Sequence, residues 1–498
     1  MEAKDFGLPV HWKIKELVQL TKPKNISYGI VQPGKHVEGG IPIIRVNNFT
    51  DSGVNVSETL NVLPAIALKS QKTKLEEGDV LLTLVGSTGL TYIVPKEYVG
   101  WNVARAVAVI KSDGSVSSDW IKICLNSEFT KHFLDSRANT TVQKTLNLSD
   151  VKLIPIPIPP RNERSFIEKN ITSINKKIYL NQQTNETLEQ MAQTLFKSWF
   201  VDFDPVFDNL LAKVDFKIEY LESTLPEELV KKAKIRLLAL NGLAEAAQTK
   251  ASLKALAQGL SPQSSEILPQ HATTHINFPN EFEHNEQLGW IPKGWEDVTV
   301  NEMVNTVSDT YPLKTVDEVI FLNTGDILDG KFLHKIYSKT QGLPGQAKKS
   351  IKKGDILYSE IRPKNKRFAL VNFDGDEHVV STKLMVLRPH EGFEELFPYF
   401  VLTQDQNISL LQRAAESRSG TFPQITFTEL AMIKVAMPKD RGLVDIFTES
   451  YLKNHFAQKD QRDFQNETLI HIRDTLLPKL ISGELQIPDE EASEEKII

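Results

Sequence analysis

The chain has 498 residues, enough for about three domains or two with substantial connectors, and its 40% apolar and 24% charged residues match an ordinary folded protein. No apolar run approaches the ~20 residues of a membrane span, the opening MEAKDFGLPVHWK has no secretory signal, and a single cysteine, Cys124, excludes an internal disulfide or a thiolate zinc site, so a cytoplasmic protein is expected. The net charge of -6 is too acidic for a self-sufficient nonspecific binder of nucleic acid, unless a partner supplies much of the phosphate grip.

Residues 1–160 mix strand-like runs at 41–46, 80–85 and 104–110 with a helical segment at 120–134 that is apolar at Ile121, Leu125, Phe129 and Phe133, which is an α+β pattern. LEEGDVLLTLVG from Leu75 places a Gly-Asp turn before an apolar strand, and Ile154, Ile156 and Ile158 alternate with prolines in an extended edge segment. A helix follows over 161–200. Its Ile167, Ile171, Ile174, Ile178, Asn181, Asn185, Leu188, Ala192, Leu195 and Trp199 advance in alternating steps of four and three, a heptad seam about 50 Å long. Asn181 and Asn185 either fix the register of that seam or mark where it opens to solvent. Residues 201–289 read as a helical insert, from Pro226 onward, and a Ser/Pro/Gln/His-rich linker in which His271 and His275 are loop residues.

A second unit over 290–437 repeats the order of the first, with strands at 319–322, 356–359 and 383–387 and a helix near 399–412. IKKGDILYSEIR from Ile351 echoes the first Gly-Asp turn, and GTFPQITFTELAMIKVAMP from Gly420 echoes TVQKTLNLSDVKLIPIPIP from Thr141. Aligning Pro159 with Pro438 sets Leu146 on Ile425, Asp150 on Glu429 and Ile154 on Ile433. Elsewhere the two units share little, as expected of modules with one frame and divergent loops. A helix over 438–485 carries a looser seam of Leu452, Phe456, Leu469, Ile472, Leu476 and Leu480, and Asn466-Glu467-Thr468-Leu469 repeats Asn185-Glu186-Thr187-Leu188. The two helices are expected to pair antiparallel, with an internal repeat of approximate two-fold symmetry. Residues 486–498 form an acidic tail. Residues 201–290 hold 8 Lys/Arg against 13 Asp/Glu and residues 484–498 hold 1 against 6, so the rest of the chain is net +4.

No catalytic motif is evident. Gly342, Gly345, Lys348, Lys349 and Ser350 miss the spacing of a phosphate loop, and Asp204-Pro205-Val206-Phe207 lacks the second proline with which an adenine methyltransferase holds its flipped base. The chain is expected to be non-catalytic, with no metal site.

TLFKSWFVDFDPV from Thr194, LLPKLISGEL from Leu476 and FPNEFEHNEQLGWIPKGW from Phe278, set in this duplicated frame, resemble the specificity subunit of type I DNA restriction-modification systems. The resemblance covers most of the chain and implies two α+β target-recognition domains separated by a long antiparallel two-helix coiled coil. Each domain would read one half of a bipartite double-stranded DNA target, the helix pair would set the spacing, and two modification (methyltransferase) subunits would dock on it. Restriction/translocase subunits would join that complex. S-adenosylmethionine, ATP and Mg would then sit on partner subunits, with no cofactor in this chain. A two-headed protein-binding scaffold without DNA recognition is the alternative.

Chemistry and position nominate the DNA contacts. In the first unit they are Arg45, Asn47, Asn48, Ser87, Thr88, Arg105, Gln143 and Lys144; in the second, Asn323, Arg362, Lys364, Lys366, Arg367, Arg418, Ser419 and Gln424. Arginine can pair with guanine, Asn and Gln with adenine, and Lys, Ser and Thr more often meet phosphate.

Overall fold

The computed structural model describes residues 3–50, 53–56, 59–135, 145–242, 250, 253–254, 275–418, 421–485 and 487. The chain is α+β and divides into two compact units, Met1–Glu186 with Lys459–Ile498, and Thr187–Gln458. The acidic tail beyond residue 487 and His271 lie outside the described residues.

In the first unit an antiparallel sheet runs in the order Thr21–Tyr28, Val107–Ser112, Val80–Thr83, Thr91–Ile93. Its middle strands are apolar at successive positions because both faces are covered. Val80, Leu82, Ala108 and Ile110 face the core that holds Trp120 and Ile121, whereas Leu81, Val107 and Val109 face a second cluster with Ile44 and Leu75. A smaller sheet sets Ile41–Ile44 between Leu60–Val62 and, in parallel, Asn102–Val103. Among the described residues, the proline-bearing segment Pro155–Ile158 pairs only with Lys13–Glu16.

The second unit has the same sheet order in Val304–Val307, Leu384–Pro389, Ile356–Ser359 and Phe368–Leu370. Its smaller sheet again contains a parallel pair, Glu318–Leu322 with His378–Ser381, and Trp295–Thr299 pairs with Lys434–Pro438. The repeat therefore extends well beyond the segments in which residue identity is legible, because backbone hydrogen bonds recur under different side chains. Leu17 N–H donates to Ile154 O at 2.8 Å where Val300 N–H donates to Ile433 O at 2.9 Å. The helices expected at 120–134 and near 399–412 are each broken in two, into Ser118–Asn126 and Glu128–Asp135, and into Leu396–Thr403 and Asp405–Arg418. At the first break Ser127 turns extended, and its hydroxyl donates to Cys124 O at 2.6 Å and accepts from Thr130 N–H at 3.3 Å, ending one helix and starting the next.

The first long helix is Arg161–Phe200, longer than its apolar seam because its opening turn is polar; the unit boundary falls inside it, after Glu186. Within the first unit it lies antiparallel to the second long helix, Lys453–Ser482: Asn175 accepts from Arg473, Asn181 donates to Gln465 and Asn466, and Asn185 donates to Asp463. Asn181 and Asn185 are buried and partnered across the seam, so the seam stays closed at these positions. Ile167 and Ile171 share a core with Leu477, Leu480 and Ile481 from the end of the second helix. In the second unit Phe196, Trp199 and Phe200 share a core with Phe447 and Leu452 from that helix's entry, with Trp199 and Phe447 centroids 5.2 Å apart. Of the looser seam, Ile472 is exposed, whereas Leu477 and Ile481, outside that pattern, are buried.

The insert is a packed helical appendage of the second unit, comprising Asp204–Lys213, Glu219–Glu222 and Glu227–Gly242. The Phe207 and Phe282 rings pack with centroids 4.7 Å apart at a tilt of 38°. Buried Asp208 accepts from Arg236 Nε and Nη2, each at 2.7 Å, and lies 2.9 Å from His275 Nε2. His275 is therefore a buried partner in a 3₁₀ turn, His275–Asn277, rather than a loop residue. Burial pushes the Asp208 carboxyl up, but Arg236 and His275 outweigh it and hold the group below its ordinary value.

Candidate nucleic-acid interface

The Gly-Asp turn fixes the frame beneath the candidate contacts in both units. Asp79 accepts from Glu76 N–H at 2.8 Å and from Lys111 Nζ at 2.7 Å; Asp355 accepts from Lys352 N–H at 2.8 Å and from Arg388 Nε and Nη2 at 2.8 and 2.9 Å. Lys111 and Arg388 follow Ile110 and Leu387, which pair with Val80 and Ile356, so each cation comes from one register position on the neighbouring strand. Burial pushes the Asp79 carboxyl up despite Lys111. The cation of this pair was not evident from the sequence, since nothing local marks it.

Above that frame, strands end in short loops. In the first unit the parallel pair ends at Ile44 and Val103, which brings Arg45 and Arg105 to one end of the smaller sheet. Arg45 N–H donates to Asn48 Oδ1 at 2.9 Å, and Asn48 Nδ2 donates to Asn55 O at 3.1 Å. Asn48 is only 4% exposed, so its side chain closes a turn and is not presented to a ligand; Asn47 beside it is exposed. Arg105 is exposed and, with Tyr28, Val85 and Thr145, lines a cleft of about 340 Å³. Tyr28 is a wall residue that sequence reasoning missed. Ser87 is exposed and Thr88 half-buried in the adjoining loop, which Thr83 ties by donating from Oγ1 to Ser87 O. Gln143 and Lys144 lie outside the described residues.

In the second unit Asn323 occupies the position of Arg45: its N–H donates to Asp326 Oδ2 at 2.9 Å, and its Oδ1 accepts from Gly325 N–H at 2.6 Å. The cationic loop lies elsewhere, between Ser359 and Phe368. Arg362, Lys364 and Asn365 are exposed, while Lys366 and Arg367 are half-buried. Arg362 N–H donates to Pro423 O at 3.1 Å, and Lys364 N–H donates to Gln412 Oε1 at 3.0 Å. Gln412 thus positions the loop from the helix Asp405–Arg418, another role the sequence did not signal. Arg367 Nη1 donates to Gly325 O and Ile327 O at 3.0 and 2.9 Å, which makes it a brace between loops. Lys366 pairs with Asp405 at 3.0 Å; burial alone would push its ammonium down, but Asp405 and Asp329 outweigh that and keep it charged. Arg418 is exposed and paired with Glu429, and Gln424 bridges to Ile361 under the loop. Ser419 lies outside the described residues. Arg362 and Lys366 have φ of 44° and 52°, left-handed values that cost a side-chain-bearing residue roughly 1–3 kcal/mol.

The structure thus gathers Arg45 and Arg105 at one strand end, sets Ser87 and Thr88 beside the Arg105 cleft, and collects Arg362, Lys364 and Lys366 in one loop with Gln424 beneath. It uses Asn48, Asn323 and Arg367 for internal hydrogen bonds. Hydrogen-bond donors predominate on these surfaces, which suits an anionic, acceptor-rich ligand.

A family model for the type I restriction modification DNA specificity domain matches residues 9–190 and 292–449. The chain is 42% identical over 158 residues to the type I restriction enzyme HindI specificity subunit of Haemophilus influenzae, which covers 31% of this chain and 34% of that protein. It is 29% identical over 171 residues to the EcoBI specificity subunit of Escherichia coli, covering 34% of this chain and 35% of that protein. The chain thus spans about a third of the length of these curated relatives. Among solved structures, the type I restriction-modification S subunit from M. genitalium aligns over 98% of this chain and 100% of its own, at 14% identity and a TM-score of 0.43.

Proposed function

The chain belongs to the family defined by the type I restriction modification DNA specificity domain, and on that premise we propose that it is the DNA sequence-specificity subunit of a type I restriction-modification complex. Each α+β domain reads one half of a bipartite target in double-stranded DNA. The helix pair sets the spacing and docks two modification subunits. In this reading the chain is the non-catalytic component: methyl transfer with S-adenosylmethionine, and ATP- and Mg-dependent translocation and cleavage, belong to modification and restriction subunits.

One observation carries the reading. The two family-matching segments fall on two units with one sheet order, and corresponding strand ends carry different side chains, Arg45 against Asn323 and Ser87 and Thr88 against Arg362 to Arg367. A shared frame with divergent tips is what two half-site readers require. The weak overall charge fits a chain whose partners contribute phosphate contacts. The proposed boundaries are 1–160 and 290–437 for the recognition domains, 161–200 and 438–485 for the helices, 201–289 for the insert and linker, and 486–498 for the tail.

Co-expression with a candidate modification subunit, followed by mapping of N6-methyladenine across the host genome, tests the proposal. A new split motif, two short half-sites around a fixed unspecified gap, is expected. An assembled, methyl-donor-binding complex that adds no methylated motif and selects no sequence from a random DNA library would contradict it.

A further inference from the structure

Two loops at one place in the repeat meet the same backbone requirement with different residues. In the first unit the chain passes from Val80–Thr83 to Thr91–Ile93 through Gly86 and Gly89, at φ 78° and 88°. In the second it passes from Ile356–Ser359 to Phe368–Leu370 through Arg362 and Lys366, at φ 44° and 52°. Hydrogen bonds fix the correspondence. Thr83 N–H donates to Leu90 O where Ser359 N–H donates to Arg367 O, and Leu146 N–H donates to Leu84 O where Ile425 N–H donates to Glu360 O. The bridges Val85 to Thr145 and Ile361 to Gln424 close the two loops alike.

Glycine adopts positive φ without strain, and any side chain there is strained. The second unit therefore places a cation at both positions where its own repeat uses glycine. Packing does not account for them. Arg362 is exposed, and its guanidinium has no hydrogen bond or ion pair among the described residues. Lys366 has one ion pair, to Asp405, and Lys364 between them is exposed. The backbone beneath is meanwhile tied down by Pro423 and Gln412, so the charges are presented from a fixed loop.

We infer that Arg362 and Lys366 are kept in strained positions because they clamp the phosphodiester backbone of DNA beside the second half-site, a clamp the first unit lacks. This rests on the DNA-recognition reading above. Phosphate is the ligand because the loop offers several charged donors, while the carboxylates beside it are already engaged, Glu360 with Lys383 and Asp405 with Lys366. Its contribution is accordingly to affinity and salt dependence and not to sequence choice.

The test replaces each cation with the residue the repeat uses. Arg362→Gly and Lys366→Gly, singly and together, are assembled as full chains with the modification subunit; Arg362→Asn, which tolerates left-handed backbone without charge, serves as a second variant. Thermal midpoint, DNA affinity across a salt series and the methylated motif are measured. The expected result is a midpoint equal to or above wild type, a log affinity against log salt slope shallower by about one per cation removed, and an unchanged motif. Unchanged affinity and slope would overturn the clamp, and a motif relaxed at the second half-site with an unchanged slope would overturn phosphate in favour of a base. A wild-type complex that binds no DNA would instead overturn the reading on which the clamp rests.

Discussion

Asn181 donates from Nδ2 to Asn466 Oδ1 at 2.9 Å across the seam between the two long helices, and both side chains are buried. Gln465 Oε1 accepts from the same amide at 2.8 Å, so one side chain satisfies two acceptors on the facing helix. A polar layer of this kind costs stability relative to leucine and selects one register.

Asn181→Leu alone leaves the buried Asn466 Oδ1 without its donor, while the exposed Gln465 can turn to water, and should destabilise the chain by about 1–3 kcal/mol. Asn181→Leu with Asn466→Leu should recover most of that loss, because both partners then become apolar. Urea denaturation of the three proteins measures the difference; equal destabilisation by the single and double variants would show that the amide pair does not interact.

Arg388 makes two hydrogen bonds to Asp355, which is 1% exposed. Arg388→Met should cost about 3–5 kcal/mol by leaving that carboxylate buried and unpaired, and adding Asp355→Leu should restore most of it. Lys111→Met should act in the same direction in the first unit, through Asp79. Chemical denaturation followed by tryptophan fluorescence reads both.

Asp208 gives the insert a defined acid sensitivity. Its carboxyl is held below the ordinary value, so its ion pairs stabilise the folded insert above about pH 4, and that contribution is lost as pH falls through the lower folded value. Hydrogen exchange over residues 204–242 should therefore accelerate only below about pH 4. Asp208→Asn should remove this acid step and raise exchange at neutral pH. An acid step that persists in the variant would assign it to another group.

The end of the second long helix completes the core of the first unit. A chain stopped after Asp474 loses the buried Leu477, Leu480 and Ile481, each worth roughly 1.5–3 kcal/mol, a sum comparable with the whole stability of a domain. Limited proteolysis should then cut within residues 1–160 while the second unit stays resistant. Equal resistance of both units would contradict the shared core.

The seam of the first helix was legible because a heptad of Ile, Leu and Ala needs no outside information, and the paired Gly-Asp turns were legible because each precedes a buried strand. The second seam was read less well. Two residues that meet the first helix are polar, Arg473 and the buried Asn466, so the apolar residues alone pointed to Ile472, which is exposed, and away from Leu477 and Ile481, which are buried. Among the candidate contacts, Asn48 and Asn323 resembled exposed amides in sequence, because a side chain that closes a turn has the same composition as one that meets a ligand. The link between Gly86 and Arg362 required the hydrogen-bond register, since the loops differ in length and share no residue.

We propose that each α+β unit reads its own half-site. Replacing the reading portion of the second unit, residues 301–432, with the corresponding residues 18–153 of the first tests it directly. The chimera is assembled with the modification subunit, and N6-methyladenine is mapped. A split motif whose two half-sites are both the one read by the first unit is the predicted result. An assembled chimera that still methylates the wild-type motif would contradict the account.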